Sequence, residues 1–245
     1  MPKKYNKVLV VIPAHNEEKN IRPVLEKLKT CVVGWADVLV VDDCSTDHTR
    51  EIALESGVKC ITAVFNMRYA GAVQIGIKYA KRHDYDYVIQ MDADGQHLPE
   101  EIKKLYNAIK ENPDINIVIG SRYLKDTGYQ GSSLRKLGTH FFAQLIKIFT
   151  SQKIADPLSG FQCFDKPVIA HYAKCGNYPE YPDANLIMEM LLRGYKIKEI
   201  PVKMKLRKNG SSMHSGIIKP IKYMITQSFR CIFVAIKYSG KRRNK

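Results

Sequence analysis

The chain has 245 residues, enough for one large domain or two small ones with a real core, and its 45% hydrophobic and 26% charged composition excludes a disordered polypeptide. Thirty-nine Lys and Arg against 24 Asp and Glu give a formal charge of +15. The excess lies in one half: residues 1–120 hold 16 basic and 17 acidic side chains, residues 121–245 hold 23 and 7, so the two halves are expected to meet different partners.

Strand-length apolar runs fall at 7–12, 37–41, 60–65, 87–91 and 115–119, mostly β-branched and bounded by turn residues. Between them, 21–28, 49–54, 72–80 and 102–109 place apolar residues at three- and four-residue spacing. Ser45-Thr46-Asp47 and Pro99-Glu100-Glu101 are expected helix starts. This alternation predicts an α/β fold, a mostly parallel sheet with helices on both faces. Helical spacing returns at 137–150, where Phe141, Phe142, Leu145, Ile146 and Phe149 share a broad face, and again at 217–236 ahead of the basic Lys241-Arg242-Arg243-Asn244-Lys245. The expected division is a catalytic domain over 1–213 and a basic amphipathic helix and tail over 214–245.

The first apolar run is too short for a signal-peptide core and lacks a small-residue cleavage site. The longest apolar stretch, 217–236, is broken by Lys219, Pro220, Lys222 and Arg230, so no bilayer span is expected. Six cysteines without a C-x-x-C pair fit reduced thiols in the cytoplasm.

In open parallel sheets the ligand crevice lies beyond the carboxyl ends of the strands. The segments expected there are Pro13-Ala14-His15-Asn16-Glu17, Asp42-Asp43-Cys44-Ser45-Thr46-Asp47 and Asp92-Ala93-Asp94-Gly95-Gln96-His97. Carboxylates dominate that edge, and neither G-x-G-x-x-G nor a P-loop is present. Carboxylates can serve a diphosphate only with a divalent cation between them, and Asp92, Asp94 and Gln96 supply suitable oxygens.

These segments, with Gly120-Ser121-Arg122, Asp156-Pro157-Leu158-Ser159-Gly160-Phe161 and Arg207-Lys208-Asn209-Gly210-Ser211, occur in the order found in inverting GT-A glycosyltransferases of family 2. Their pattern resembles dolichol-phosphate mannose synthases and bacterial polyprenyl-phosphate glycosyltransferases most closely. The resemblance implies that Pro13, Glu17, Asp42, Asp43, Asn66 and Asp92 hold the nucleotide sugar. It further implies that Asp92, Asp94 and Gln96 bind Mg²⁺ or Mn²⁺, and that Arg122, Arg135 and Arg207 hold the acceptor phosphate and the departing diphosphate. Asp94 and Asp156 complete the expected catalytic set, Asp156 as a base or as an orienter of the acceptor. One departure is Arg68, where the family often has a Gly-rich stretch.

The expected reaction is transfer from a UDP- or GDP-sugar to a polyprenyl phosphate by a protein resting on the cytoplasmic face of the membrane. An anionic lipid surface or a small membrane-protein partner would hold it there. Extension of a cell-surface polysaccharide is the nearest alternative. A sugar-nucleotide pyrophosphorylase would want a Gly-rich loop after the first strand. A nucleic-acid binder, suggested by charge alone, is disfavoured by the acidic strand ends, and no nucleic-acid partner is expected.

Overall fold

The structure is a computed structural model that describes residues 6–124, 127–129, 133–206 and 218–239. Seven strands form one sheet: β1 (Val8–Ala14), β2 (Asp37–Asp42), β3 (Lys59–Thr62), β4 (Tyr87–Gln90), β5 (Ile117–Ser121), β6 (Gln162–Asp165) and β7 (Ile197–Pro201). Their order across the sheet is β3-β2-β1-β4-β6-β5-β7. The β1, β2, β3 and β4 pairings are parallel, as is β5 with β7, while β6 runs antiparallel between β4 and β5. The expected mostly parallel α/β sheet is therefore present. Two strands, β6 and β7, were not among the expected runs.

Central β1 explains the layering. All seven of its residues are buried, and their alternation sends Leu9 and Val11 to one core, Val8, Val10 and Ile12 to the other. One face is covered by α1 (Glu18–Val32), α2 (Thr49–Glu55) and α4 (Ile102–Lys110). The other carries α3 (Arg68–Arg82), α5 (Ser133–Thr150), α6 (Lys166–Tyr172), α7 (Ala184–Leu192) and α8 (Ile218–Ser239). A Cβ at Gly76 would lie 2.3 Å from Val11 Cγ1, so only glycine lets α3 approach β1 this closely.

The two expected amphipathic helices are two-sided. In α5, Phe142 and Ile146 are fully buried while Leu137, Phe141 and Ile148 are exposed. In α8, Gln227, Cys231, Val234 and Tyr238 pack inward, while Ile225, Phe229, Ile232, Phe233 and Ile236 form an outer apolar stripe at three- and four-residue spacing. The helix is thus both packed on the body of the protein and apolar on its outer side. Among the described residues no helix is long and apolar enough to cross a membrane.

Candidate active site

Strand order reverses between β1 and β4, whose carboxyl ends open the crevice where ligands bind in such sheets. Among the described residues five non-glycine residues have positive φ, and three of them lie at this edge: Asn16 (55°) and Cys44 (57°) in loops and Arg68 (61°) at the start of α3. Such backbone persists where surrounding contacts enforce it and gathers at functional sites. Asn16 is held from both sides, its N–H donating to Ser45 Oγ at 3.0 Å and its side-chain oxygen accepting from the Thr46 N–H at 2.8 Å.

The loop after β1 is tied to the loops after β2 and β3. Pro13 is buried and registers with Val41 of β2. The Glu17 N–H donates to Thr49 Oγ1 at 2.7 Å, and its carboxylate accepts from Asn20 Nδ2 at 2.7 Å. Asp42 and Asp43 are 1% and 2% exposed. Asp42 Oδ1 accepts from the Ser45 N–H, and Asp43 Oδ1 accepts from the Met67 N–H at 2.6 Å, so both carboxylates shape the loops around them. His15 Nδ1 lies 2.8 Å from the Asp43 carbonyl oxygen, and Asn66 Nδ2 is 3.3 Å from the same ring. Five expected nucleotide-site residues, Pro13, Glu17, Asp42, Asp43 and Asn66, thus belong to one connected set of loops.

Beyond β4, Gly95 adopts φ +77° and lets the chain turn so that the Gln96 N–H donates to Asp94 Oδ1 at 3.0 Å. Asp92 Oδ1 accepts from the Tyr69 hydroxyl at 2.8 Å. The Asp92 N–H donates to His97 Nδ1 at 3.0 Å, which puts the proton of a neutral ring on Nε2, 3.6 Å from Asp92 Oδ2. His97 is buried and stacks on Phe161, with centroids 4.7 Å apart. Gly160 closes against this group, for a Cβ there would stand 2.8 Å from the Tyr69 hydroxyl. Burial and the negative charge of Asp92 hold the Tyr69 phenol well above its ordinary range, so it remains a donor.

Among the described residues no three His, Cys, Asp or Glu side chains gather as a protein-only metal cage. Two half-exposed carboxylates on one turn still fit Mg²⁺ or Mn²⁺, which take one or two carboxylates and complete their shells with phosphate and water oxygens.

The opposite flank is built around Arg122 and Asp156. Asp156 is fully buried and accepts three bonds from Arg122: the backbone N–H at 2.9 Å, Nε at 2.8 Å and a terminal guanidinium nitrogen at 2.7 Å. Burial opposes the Arg122 charge, but the bonds and charge of Asp156 outweigh it and raise the guanidinium above the ordinary arginine value. Glu199 of β7 accepts from the N–H groups of Ala155 and Asp156 at 2.6 and 2.8 Å. Arg135 donates to the Tyr129 hydroxyl at 2.9 Å. Arg207 and the Arg207-Lys208-Asn209-Gly210-Ser211 element lie outside the described residues.

Asp183, immediately before α7, was not among the expected site residues. It accepts from the Tyr223 hydroxyl of α8 at 2.7 Å. Burial pushes its carboxyl up against that bond and the positive charges of Arg230 and Arg122, and the negative charge of Asp92 adds to the rise. Glu180 pairs with both Arg68 and Arg230. The available signal was scarcity, because 121–245 has only seven acidic residues and Asp156, Glu180, Asp183 and Glu199 are four of them.

This arrangement of a Rossmann-like sheet with paired aspartates at the switch point defines a GT-A glycosyltransferase. The family model for "Glycosyl transferase family 2" matches residues 9–172, and the chain belongs to that family. It is 31% identical over 242 residues to a dolichol-phosphate mannosyltransferase of Pyrococcus furiosus, covering 96% of this chain and 65% of that protein. It is 26% identical to a polyprenol monophosphomannose synthase of Mycolicibacterium smegmatis, covering 86% of this chain and 82% of that one. Its fold matches glucosyl-3-phosphoglycerate synthase of Mycobacterium tuberculosis at a TM-score of 0.73, with 18% identity and coverage of 96% and 80%. That protein has been solved with Mn²⁺, UDP and its glucosylated product, and with Mg²⁺ and UDP. The chain is therefore a glycosyltransferase related to polyprenyl-phosphate sugar transferases.

Proposed function

We propose that the protein moves a sugar, with inversion, from a nucleotide-diphosphate sugar to a polyprenyl phosphate at the cytoplasmic face of a membrane. The observation that carries this reading is the placement of Asp92 and Asp94 on one turn after β4, at the sheet edge that also carries the loops of Pro13, Asp42 and Asn66. Those loops hold the nucleoside, and Asp92, Asp94 and Gln96 hold the cation. Bound Mg²⁺ or Mn²⁺ would neutralise the charge that builds on the departing diphosphate.

Arg135 and Arg207 bring positive charge to the acceptor phosphate. Arg122, already bonded to Asp156, fixes the wall against which that phosphate lies. A phosphate arrives ionised, so the site has to position it and exclude water more than deprotonate it. This agrees with Asp156 having its oxygens committed to Arg122. Attachment falls to the outer faces of α5 and α8, which carry the exposed Phe141, Phe229 and Phe233 together with the exposed Lys136, Lys147, Lys222 and Lys237. In this reading, 214–245 serves as the anchoring segment of a catalytic domain spanning 1–213.

Asp183 favours a second reading, extension of a glycan, because a hydroxyl acceptor needs a base and this carboxyl lies within the charge field of Asp92 and Arg122. One experiment separates the two: UDP, GDP and dTDP sugars are offered with Mn²⁺, a short polyprenyl phosphate and a soluble oligosaccharide together, and the products are weighed. A butanol-soluble lipid phosphate bearing one sugar supports the lipid reading. Sugar found only on a water-soluble glycan overturns it.

A further inference from the structure

An ionised carboxylate can only accept hydrogen bonds, so the 2.8 Å contact between Tyr69 and Asp92 Oδ1 must run from the phenol to the carboxylate. The phenol oxygen is then an acceptor, and Gln90 Nε2 donates to it at 2.7 Å. That fixes the orientation of the Gln90 amide, whose oxygen accepts from the Tyr178 hydroxyl at 3.2 Å. The result is a chain of bonds with one direction, from Tyr178 through Gln90 and Tyr69 to Asp92.

Its members come from three places in the fold: the segment between α6 and α7, the end of central β4 and the first turn of α3. Gln90 is only 3% exposed in the middle of the sheet, a costly place for an amide unless its bonds are made. Tyr69 follows Arg68, whose left-handed backbone opens α3. From the other side Gly160 leaves no room for a side chain beyond hydrogen, so the hydroxyl is confined between Gln90, Asp92 and the 156–161 loop.

We infer that Tyr69, Gln90 and Tyr178 are positioning residues that set the orientation of the Asp92 carboxylate for its cation. The inference rests on the reading of Asp92 as a metal ligand. Partners of this kind orient a ligand before the ion arrives and so raise affinity for it without touching it. With one lone pair of Oδ1 committed to Tyr69 and Oδ2 3.6 Å from His97 Nε2, the plane of the carboxylate is set. Tyr178 extends this control to the segment that also carries Glu180 and Asp183.

The test is a manganese titration followed by electron paramagnetic resonance, with UDP present and then with GDP, on the wild type and on Tyr69→Phe, Tyr178→Phe and Asp92→Asn. Tyr69→Phe is expected to weaken Mn²⁺ binding by about tenfold and Tyr178→Phe by about threefold. Thermal melting in the absence of metal reports whether each variant is folded, and should Tyr69→Phe not fold, Tyr178→Phe decides. Wild-type affinity in the folded tyrosine variants, alongside loss in Asp92→Asn, overturns the inference and leaves the metal reading standing. Absence of nucleotide-dependent Mn²⁺ binding by the wild type overturns both.

Discussion

The two flanks of the crevice are made differently. On the side proposed for the donor, the loops after β1, β2 and β4 are held by bonds within and between loops and keep Asp92 partly open, its side chain 28% exposed. On the acceptor side, Asp156 has no exposure and Arg122 only 10%, and the pair depends on β7 through Glu199. One carboxylate stays partly open and the other is spent on its guanidinium partner. Sequence motif alone presents them as equals; burial separates their work.

The contrast can be broken most forcefully at the closed pair. Asp156→Ala leaves a buried guanidinium without its partner and is expected to cost about 3–5 kcal/mol, read as a lowered urea midpoint. A loss within about 0.5 kcal/mol would mean that the wall does not depend on the pair. The open flank should respond in the opposite way: Asp94→Asn is expected to lower transfer by at least ~100-fold while leaving the midpoint near that of the wild type. Near wild-type turnover with Mn²⁺ would remove Asp94 from the donor site.

A smaller effect concerns attachment. Phe229→Ser with Phe233→Ser strips apolar area from the outer stripe of α8, both rings being more than 60% exposed, and leaves its inner face intact. Co-sedimentation with anionic vesicles is expected to fall by about tenfold, from roughly 1.5 kcal/mol in all for two rings partly buried in lipid. Equal pelleting of variant and wild type would assign attachment elsewhere. Removing the whole helix would be a poorer test, because Cys231, Val234 and Tyr238 belong to the core.

The smallest effect is a pH dependence at α6. His171 is buried, and burial together with the charge of Arg193 lowers its pKa below the ordinary 6.5. The unfolded chain takes up a proton there below pH 6.5 that the folded chain resists, so stability falls as pH drops below that value. His171→Asn should flatten this part of the urea midpoint against pH. An unchanged slope would show that other groups set it.

Much of the donor flank was legible in the sequence. Uninterrupted apolar runs such as Val8-Leu9-Val10-Val11-Ile12 belong to strands buried on both faces, and the acidic turns that follow them must lie at the carboxyl edge. The acceptor flank was harder to read. Strand β6 is four residues long, with Gln162 and Asp165 at its ends, and it enters the sheet antiparallel; β7 mixes Lys198 and Glu199 with Ile197 and Ile200. Neither presents an apolar run. Asp183, Gln90 and Tyr69 are scattered over more than a hundred residues and come into the surroundings of Asp92 only through the tertiary fold, so no local spacing marks them. The broad apolar face expected over 137–150 was real but divided, since Phe142 turns inward and Phe141 outward.

Helix α8 grips α7 and its approach through three polar contacts: Tyr223 on Asp183, Gln227 on Asn185 and Tyr238 on Glu189, while its far side is apolar and bare. In the proposed arrangement, whatever surface that far side rests on lies one helix diameter, ~10 Å, from Asp183. A long greasy substrate would have no water to cross on its way in, and any tilt of the anchor would be felt first at Asp183.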